Sequence, residues 1–144
     1  MIEECKLDVD FDKAQKGMVS LEAVQAAKLL RSSGQIILQG APGCGKTYFT
    51  TELAVYMCDG EVPATRPQLK RRYRELQREG RIGFTTFHQS LDYEEFVEGL
   101  KPDTDSINND GTMSFKVKSG IFKRMCAEAE VYNDGNDNRP YILI

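Results

Sequence analysis

Apolar residues recur at helical spacing in several stretches and cluster in short runs between them. Leu21, Val24, Ala27 and Leu30 line one face behind Ser20, a residue suited to capping a helix start. This predicts a helix to about Ser32, ended by Ser33-Gly34. Gln35-Ile36-Ile37-Leu38-Gln39 is a short apolar run that reads as a buried parallel strand. From Thr47 to Cys58, Phe49, Leu53 and Tyr56/Met57 again keep helical spacing, and Asp59-Gly60 closes that helix. Pro63 and Pro67 mark a loop, Gln68 to Glu79 a polar helix, and Gly80 its cap.

The second half repeats the alternation. Ile82 to His88 predicts a strand, with Ile82, Phe84 and Phe87 as its apolar members. Asp92 followed by Glu95 resembles a capping box, after which Phe96, Val97 and Leu100 can pack on a sheet. Residues 101–114 are rich in Asp and Asn and read as a polar loop with a turn over Asn108 to Gly111. Phe115-Lys116-Val117 is a candidate short strand. Ser119 opens a helix through Glu130 that buries Ile121, Phe122, Met125 and Cys126. Asn133 to Asn138 is a turn-rich loop, and Pro140 to Ile144 is an apolar run. Residues 1–19 lack periodicity and read as a lead-in arm.

Composition changes this picture little. The chain has 144 residues, 40% hydrophobic and 28% charged, the range of an ordinary globular protein with a real core. A net charge of −3 argues against a wholly basic nucleic-acid binder. The acidic start Met1-Ile2-Glu3-Glu4 lacks the layout of a signal peptide, and no apolar run is long enough to span a bilayer. Cys5, Cys44, Cys58 and Cys126 form no C-x-x-C pair, so reduced thiols in a cytoplasmic protein are the simplest expectation.

The chemistry concentrates in Gly40-Ala41-Pro42-Gly43-Cys44-Gly45-Lys46-Thr47, which fits G-x-x-x-x-G-K-[ST]. Glycines let the backbone wrap a phosphate with its N–H groups turned inward. Lys46 would reach the β- and γ-phosphates as the catalytic cation, and the Thr47 hydroxyl would ligate Mg²⁺. The expected strand before the loop and helix after it supply the required context, and the cofactor-binding stretch extends to Tyr48. Cys44 contributes its backbone N–H on the plainer reading and a redox-sensitive thiol on the other.

Three further features are weaker. Lys70, Arg71, Arg72, Arg74 and Arg78 make the Gln68–Glu79 helix basic; it is either a solvated face, with Glu75 paired locally, or a contact to nucleic acid or an acidic partner. His88, the single histidine, is a strand-end residue or a water or phosphate contact. The carboxylates of 101–114 miss the EF-hand spacing.

An NTPase also needs acids for the metal and for water, usually after a second apolar strand. Val131-Tyr132-Asn133-Asp134 is too short and polar for that strand. Tyr141 to Ile144 is a strand of the right kind with nothing after it, so the sequence reads as the front part of a nucleotide-binding domain.

The P-loop, then Thr86-Phe87-His88-Gln89-Ser90 with Tyr93-Glu94-Glu95-Phe96-Val97-Glu98-Gly99, then Gly120-Ile121-Phe122, are together similar to the McrB-type branch of the AAA+ superfamily. These are the GTP-dependent motor subunits of modified-cytosine restriction systems. The resemblance spans roughly Gly34 to Ile144. It implies an α/β fold of αβα sandwich type with a parallel sheet. It makes 20–144 the N-terminal part of an AAA+ P-loop nucleotide-binding domain, incomplete at the strand that precedes the Walker B acids. It further implies GTP with Mg²⁺ as cofactors, a ring-forming homo-oligomer, and a nuclease subunit through which the parent complex acts on DNA. In that family an Asp-Glu-Ile-Asn-Arg segment follows the strand matching Tyr141 to Ile144. It is missing here, so the fragment is expected to bind nucleotide without hydrolysing it alone. An ATP-dependent AAA+ remodelling protein of the MoxR or dynein-related type and a non-hydrolytic nucleotide-binding module are the alternatives.

Overall fold

The structure, a computed structural model, describes residues 17–89, 91–107, 113–133 and 139–144. Cys5, most of the lead-in arm, Ser90, the turn expected over Asn108–Gly111 and nearly all of the loop expected over Asn133–Asn138 lie outside these residues. The chain divides between Arg72 and Tyr73 into two compact units.

The first unit opens with α1 (Leu21–Ser33), started by Ser20 as the sequence predicts. The Ser20 Oγ accepts from the Ala23 N–H at 3.3 Å, and Gly34, at φ 73°, ends the helix by donating its N–H to the Leu30 carbonyl. The face differs from the expected one. Ala23 and Ala27 are buried, whereas Leu21 is 68% exposed. α1 packs on its neighbour α2 (Lys46–Asp59), and the two alanines, not Leu21, are its buried positions. The Ser20 N–H also donates to Glu52 of α2 at 2.8 Å.

α2 buries Thr51, Leu53, Ala54 and Val55. The Thr51 hydroxyl is satisfied by the Thr47 carbonyl at 2.8 Å, so its burial leaves no orphan polar atom. Gly60, at φ 76°, caps the far end.

The strand expected over Gln35–Gln39 is not formed. No described residue pairs with it in a ladder, and Ile37 is 88% exposed. A parallel strand needs both a neighbour for its N–H and C=O groups and a cover for its faces. Neither is supplied among the described residues.

α3 (Arg66–Arg78) begins earlier than the sequence suggests, because Pro67 sits inside its first turn. Proline lacks only an N–H that the first turn leaves unpaired anyway, and its fixed φ suits the helix. Leu69 and Leu76 are buried on one face, with half-buried Tyr73 between them.

In the second unit α3 ends in a Schellman motif. Gly80, at φ 74°, donates to the Gln77 carbonyl and Arg81 donates to the Leu76 carbonyl. β1 (Ile82–Gly83) then pairs in parallel with β4 (Ile142–Leu143), Ile82 opposite Ile142. Bonds from Ile142 N to Arg81 O, Ile144 N to Gly83 O and Thr85 N to Ile144 O carry the pattern to Thr85. The expected strand to His88 therefore stops short, and Phe84 and Phe87 are 52% and 72% exposed.

α4 (Tyr93–Phe96) is a single turn, capped as predicted by Asp92, which accepts from the Glu95 N–H at 3.1 Å. The polar loop expected from residue 101 is instead part of a hairpin. β2 (Glu98–Ile107) runs antiparallel to β3 (Met113–Ser119). Leu100 opposes Val117 and Pro102 opposes Phe115, while Lys101 opposes Lys116. The alternation of apolar and lysine positions had a period of two, which the Asp/Asn content obscured. The register shifts after Pro102, which has no N–H to donate to the ladder.

α5 (Ile121–Asn133) follows. Ile121, Met125 and Ala129 are its half-buried residues, whereas Cys126, expected to be buried, is exposed. Phe122 stacks on Phe96 at 5.4 Å, and Phe96 meets Phe87 at 5.1 Å. Gly120 joins the hairpin to α5 and donates its N–H to the Val97 carbonyl at 2.6 Å. A Cβ there would run into the Glu95 carbonyl oxygen and the Phe96 carbonyl carbon, which are backbone and cannot swing aside. Gly120→Ala is expected to lower unfolding free energy by about 1–3 kcal/mol, read from the midpoint of a urea titration.

Candidate functional site

The loop from Gly40 to Gly45 hands the chain to α2 with no side-chain cap. Gly43 and Gly45 have φ of 80° and 87°, a left-handed conformation that only glycine adopts without strain. Cys44 N–H donates to the Ala41 carbonyl at 3.3 Å across Pro42 and Gly43, closing the turn, and Phe49 N–H donates to Gly45 to start the helix. A Cβ on Gly40 would lie 2.7 Å from the Cys44 sulfur, so the loop is close-packed on that side.

The first turn of α2 carries no acidic residue. Among the described residues no side chain caps its N–H groups, so the helix end keeps its partial positive charge. Lys46 adds a full charge. Its ammonium folds back over the loop and donates to the Gly40 and Ala41 carbonyls, each at 2.8 Å, with the Cys44 sulfur at 3.7 Å. Chemically this is a helix N-terminus with a cation folded over the loop that precedes it, an arrangement that favours negative charge.

The predicted residues Gly40 to Tyr48 thus form one continuous loop and helix start. Thr47 is exposed, and its carbonyl accepts from the Thr50 and Thr51 hydroxyls at 3.1 and 2.8 Å. Its own hydroxyl is an oxygen of the kind Mg²⁺ prefers. Among the described residues no cluster of three or more His, Cys, Asp or Glu side chains stands ready to hold a metal.

Tyr48 has a neighbour that sequence reading missed. The Arg66 guanidinium lies over its ring, 3.7 Å from the centroid, and Arg66 Nη1 is 3.5 Å from the Tyr48 carbonyl oxygen. Placing Pro67 in a first helical turn would have moved the helix start back to Arg66 and joined it to the basic stretch.

The other candidates resolve differently. Arg72 of the basic helix grips Asp59 with two bonds, Nε to Oδ2 at 2.7 Å and Nη2 to Oδ1 at 3.0 Å. That arginine has a structural task at the end of α2. His88 is exposed and lies beyond the strand, and its carbonyl accepts from Leu91 N–H at 3.0 Å. The second unit contains a cavity of about 340 Å³ whose lining includes Glu94, Glu95, Lys101, Lys118 and Arg124. Its mixed charge singles out no ligand class.

The chain is thus an α/β protein with a small parallel sheet, and its loop–helix junction is compatible with part of a P-loop fold. No protein-family model matches it. It is similar to the Type IV methyl-directed restriction enzyme EcoKMcrB subunit of Escherichia coli (strain K12), 35% identical over 103 residues. The match covers 72% of this chain, and the chain spans 17% of the length of that curated relative. The similarity supports a McrB-like relationship. Among the described residues no helix is long and apolar enough to cross a membrane.

The left-handed Gly45 is the junction's most exacting position. A Cβ there meets nothing within 4 Å, so substitution tests backbone strain without steric clash. Gly45→Ala is expected to cost about 1–2 kcal/mol from the left-handed φ alone, measured by thermal unfolding.

Proposed function

We propose that the chain is the nucleotide-binding portion of a McrB-like, GTP-dependent motor for restriction of modified-cytosine DNA. The observation that carries this reading is the uncapped, acid-free start of α2 with Lys46 folded over the loop that precedes it. In the proposed complex the loop N–H groups of Gly43 to Lys46 cradle phosphate. Lys46 exchanges the Gly40 and Ala41 carbonyls for phosphate oxygens, a charge-assisted contact stronger than the one it leaves. Thr47 would hold Mg²⁺ through its hydroxyl oxygen, and the ion would neutralise phosphate charge.

Binding is assigned to this chain, and hydrolysis to acids elsewhere in the whole motor. Residues 20–144 are the N-terminal part of its AAA+ domain, of αβα sandwich type. The motor itself is a ring of like subunits with a nuclease partner, working on DNA in the cytoplasm. GTP rests on the resemblance to the restriction motors. No feature of the loop distinguishes guanine from adenine, since the phosphate contacts are common to both.

Titration of the full chain with fluorescent GTP and ATP analogues, with and without Mg²⁺, tests the reading. Mg²⁺-dependent GTP binding is expected, and Lys46→Ala is expected to weaken it about tenfold to a hundredfold, the loss of one charged hydrogen-bond donor. A preference for ATP would move the assignment to an AAA+ remodelling protein. Binding that is indifferent to Lys46 would overturn the site.

A further inference from the structure

Arg66 and Arg72, both on α3, engage opposite ends of α2. Arg72 holds Asp59, the last residue of α2, and Arg66 covers Tyr48 in its first turn. The two tethers differ in consequence, because only one lies beside the loop. Tyr48 follows Lys46 and Thr47 directly. Side chains of a helix lean toward its N-terminus, so the Tyr48 ring leans toward the Gly40–Gly45 end and away from the middle of α2. Tyr48 as a residue is 54% exposed although a guanidinium sits over its ring. An aromatic side chain met by a cation, more than half exposed and adjoining the Gly40–Gly45 loop, is the kind of platform on which a nucleobase stacks.

Resting on the nucleotide-binding reading of Gly40–Thr47, we infer that Tyr48 takes the nucleoside end of the bound nucleotide by stacking, and that Arg66 is its positioning residue. α3 is then part of the nucleotide site. Lys46 and the loop amides hold the phosphates, while Tyr48, fixed by Arg66, orders the base. Stacking of this kind is tolerant of base identity because every base has a π-face. The pair therefore adds affinity for a nucleotide over bare polyphosphate without choosing guanine over adenine.

The test is calorimetric titration of the full chain with Mg²⁺–GTP, Mg²⁺–ATP and Mg²⁺–tripolyphosphate, for wild type, Arg66→Ala, Arg66→Lys and Arg72→Ala. Arg66→Ala is expected to weaken both nucleotides about tenfold, the size of one lost base stack. Tripolyphosphate binding should stay within about twofold, since it depends on the loop. Arg66→Lys, which keeps a cation over the ring, should recover most of the loss. Arg72→Ala, which cuts the other tether, should leave all three ligands nearly unchanged. Equal losses for tripolyphosphate and nucleotide would mean that Arg66 acts through its charge on phosphate, and would overturn the inference. So would an Arg72→Ala effect equal to that of Arg66→Ala, which would mark a general loosening of α3, or no effect of Arg66→Ala at all. If wild type binds neither nucleotide nor tripolyphosphate, the reading of the loop itself fails, a result distinct from all of these.

Discussion

The ammonium of Lys46 is held by the carbonyl oxygens of Gly40 and Ala41, two residues of the loop that it closes. Much of the first unit bears on this contact. It can form only because Gly43 and Gly45 take left-handed conformations, which fold the loop back so that its carbonyls meet the lysine above them. It leaves the first-turn N–H groups of α2 uncapped, and so preserves a positive end that a capping Asp or Ser would have neutralised. The loop therefore stores its cation in a satisfied position. Under the proposed reading an incoming phosphate displaces these contacts, because it offers better acceptors than two neutral carbonyls.

α2 is the element whose placement matters, and it is held along its length by different forces. α1 packs on α2 with Ala23 and Ala27 among the buried residues, and Glu52 accepts the Ser20 N–H, so α1 fixes α2 by packing and by a hydrogen bond. α3 fixes it electrostatically, with Arg66 over the first turn and a two-bond Arg72–Asp59 pair at the last. That pair is partly exposed and adds little to overall stability. The basic composition of α3, which as sequence pointed equally to a solvated face or to nucleic acid, is partly explained by these contacts within the chain.

Local chemistry was legible in the sequence wherever one residue type has one backbone consequence. Ser20 and Asp92 cap helices as their side-chain oxygens dictate, Gly34, Gly60 and Gly80 end them at positive φ, and Tyr141 to Ile144 contributes a parallel strand. Gly40 to Lys46 likewise folds into the tight loop its glycines call for. Legibility failed where the outcome depends on a distant partner. Gln35–Gln39 has the composition of a strand, yet no described neighbour pairs with it. Residues 101–114 have the composition of a loop, yet 101–107 continue a strand that pairs with 113–119. The Arg66–Tyr48 contact joins residues far apart in sequence, and Pro67 hid it by suggesting a loop where a helix begins.

The central claim is that the Gly40–Tyr48 junction exchanges an internal lysine contact for a phosphate contact. The most direct measurement is NMR of the isotope-labelled full chain during titration with Mg²⁺–GTP, following the backbone amides of residues 40–48 and the Lys46 side-chain nitrogen. The account predicts that the largest shifts fall on Gly43, Gly45, Lys46 and Thr47, with the Lys46 nitrogen changing as it leaves the Gly40 and Ala41 carbonyls. Saturable GTP binding that leaves these signals in place, with shifts clustered elsewhere in the chain, would contradict it.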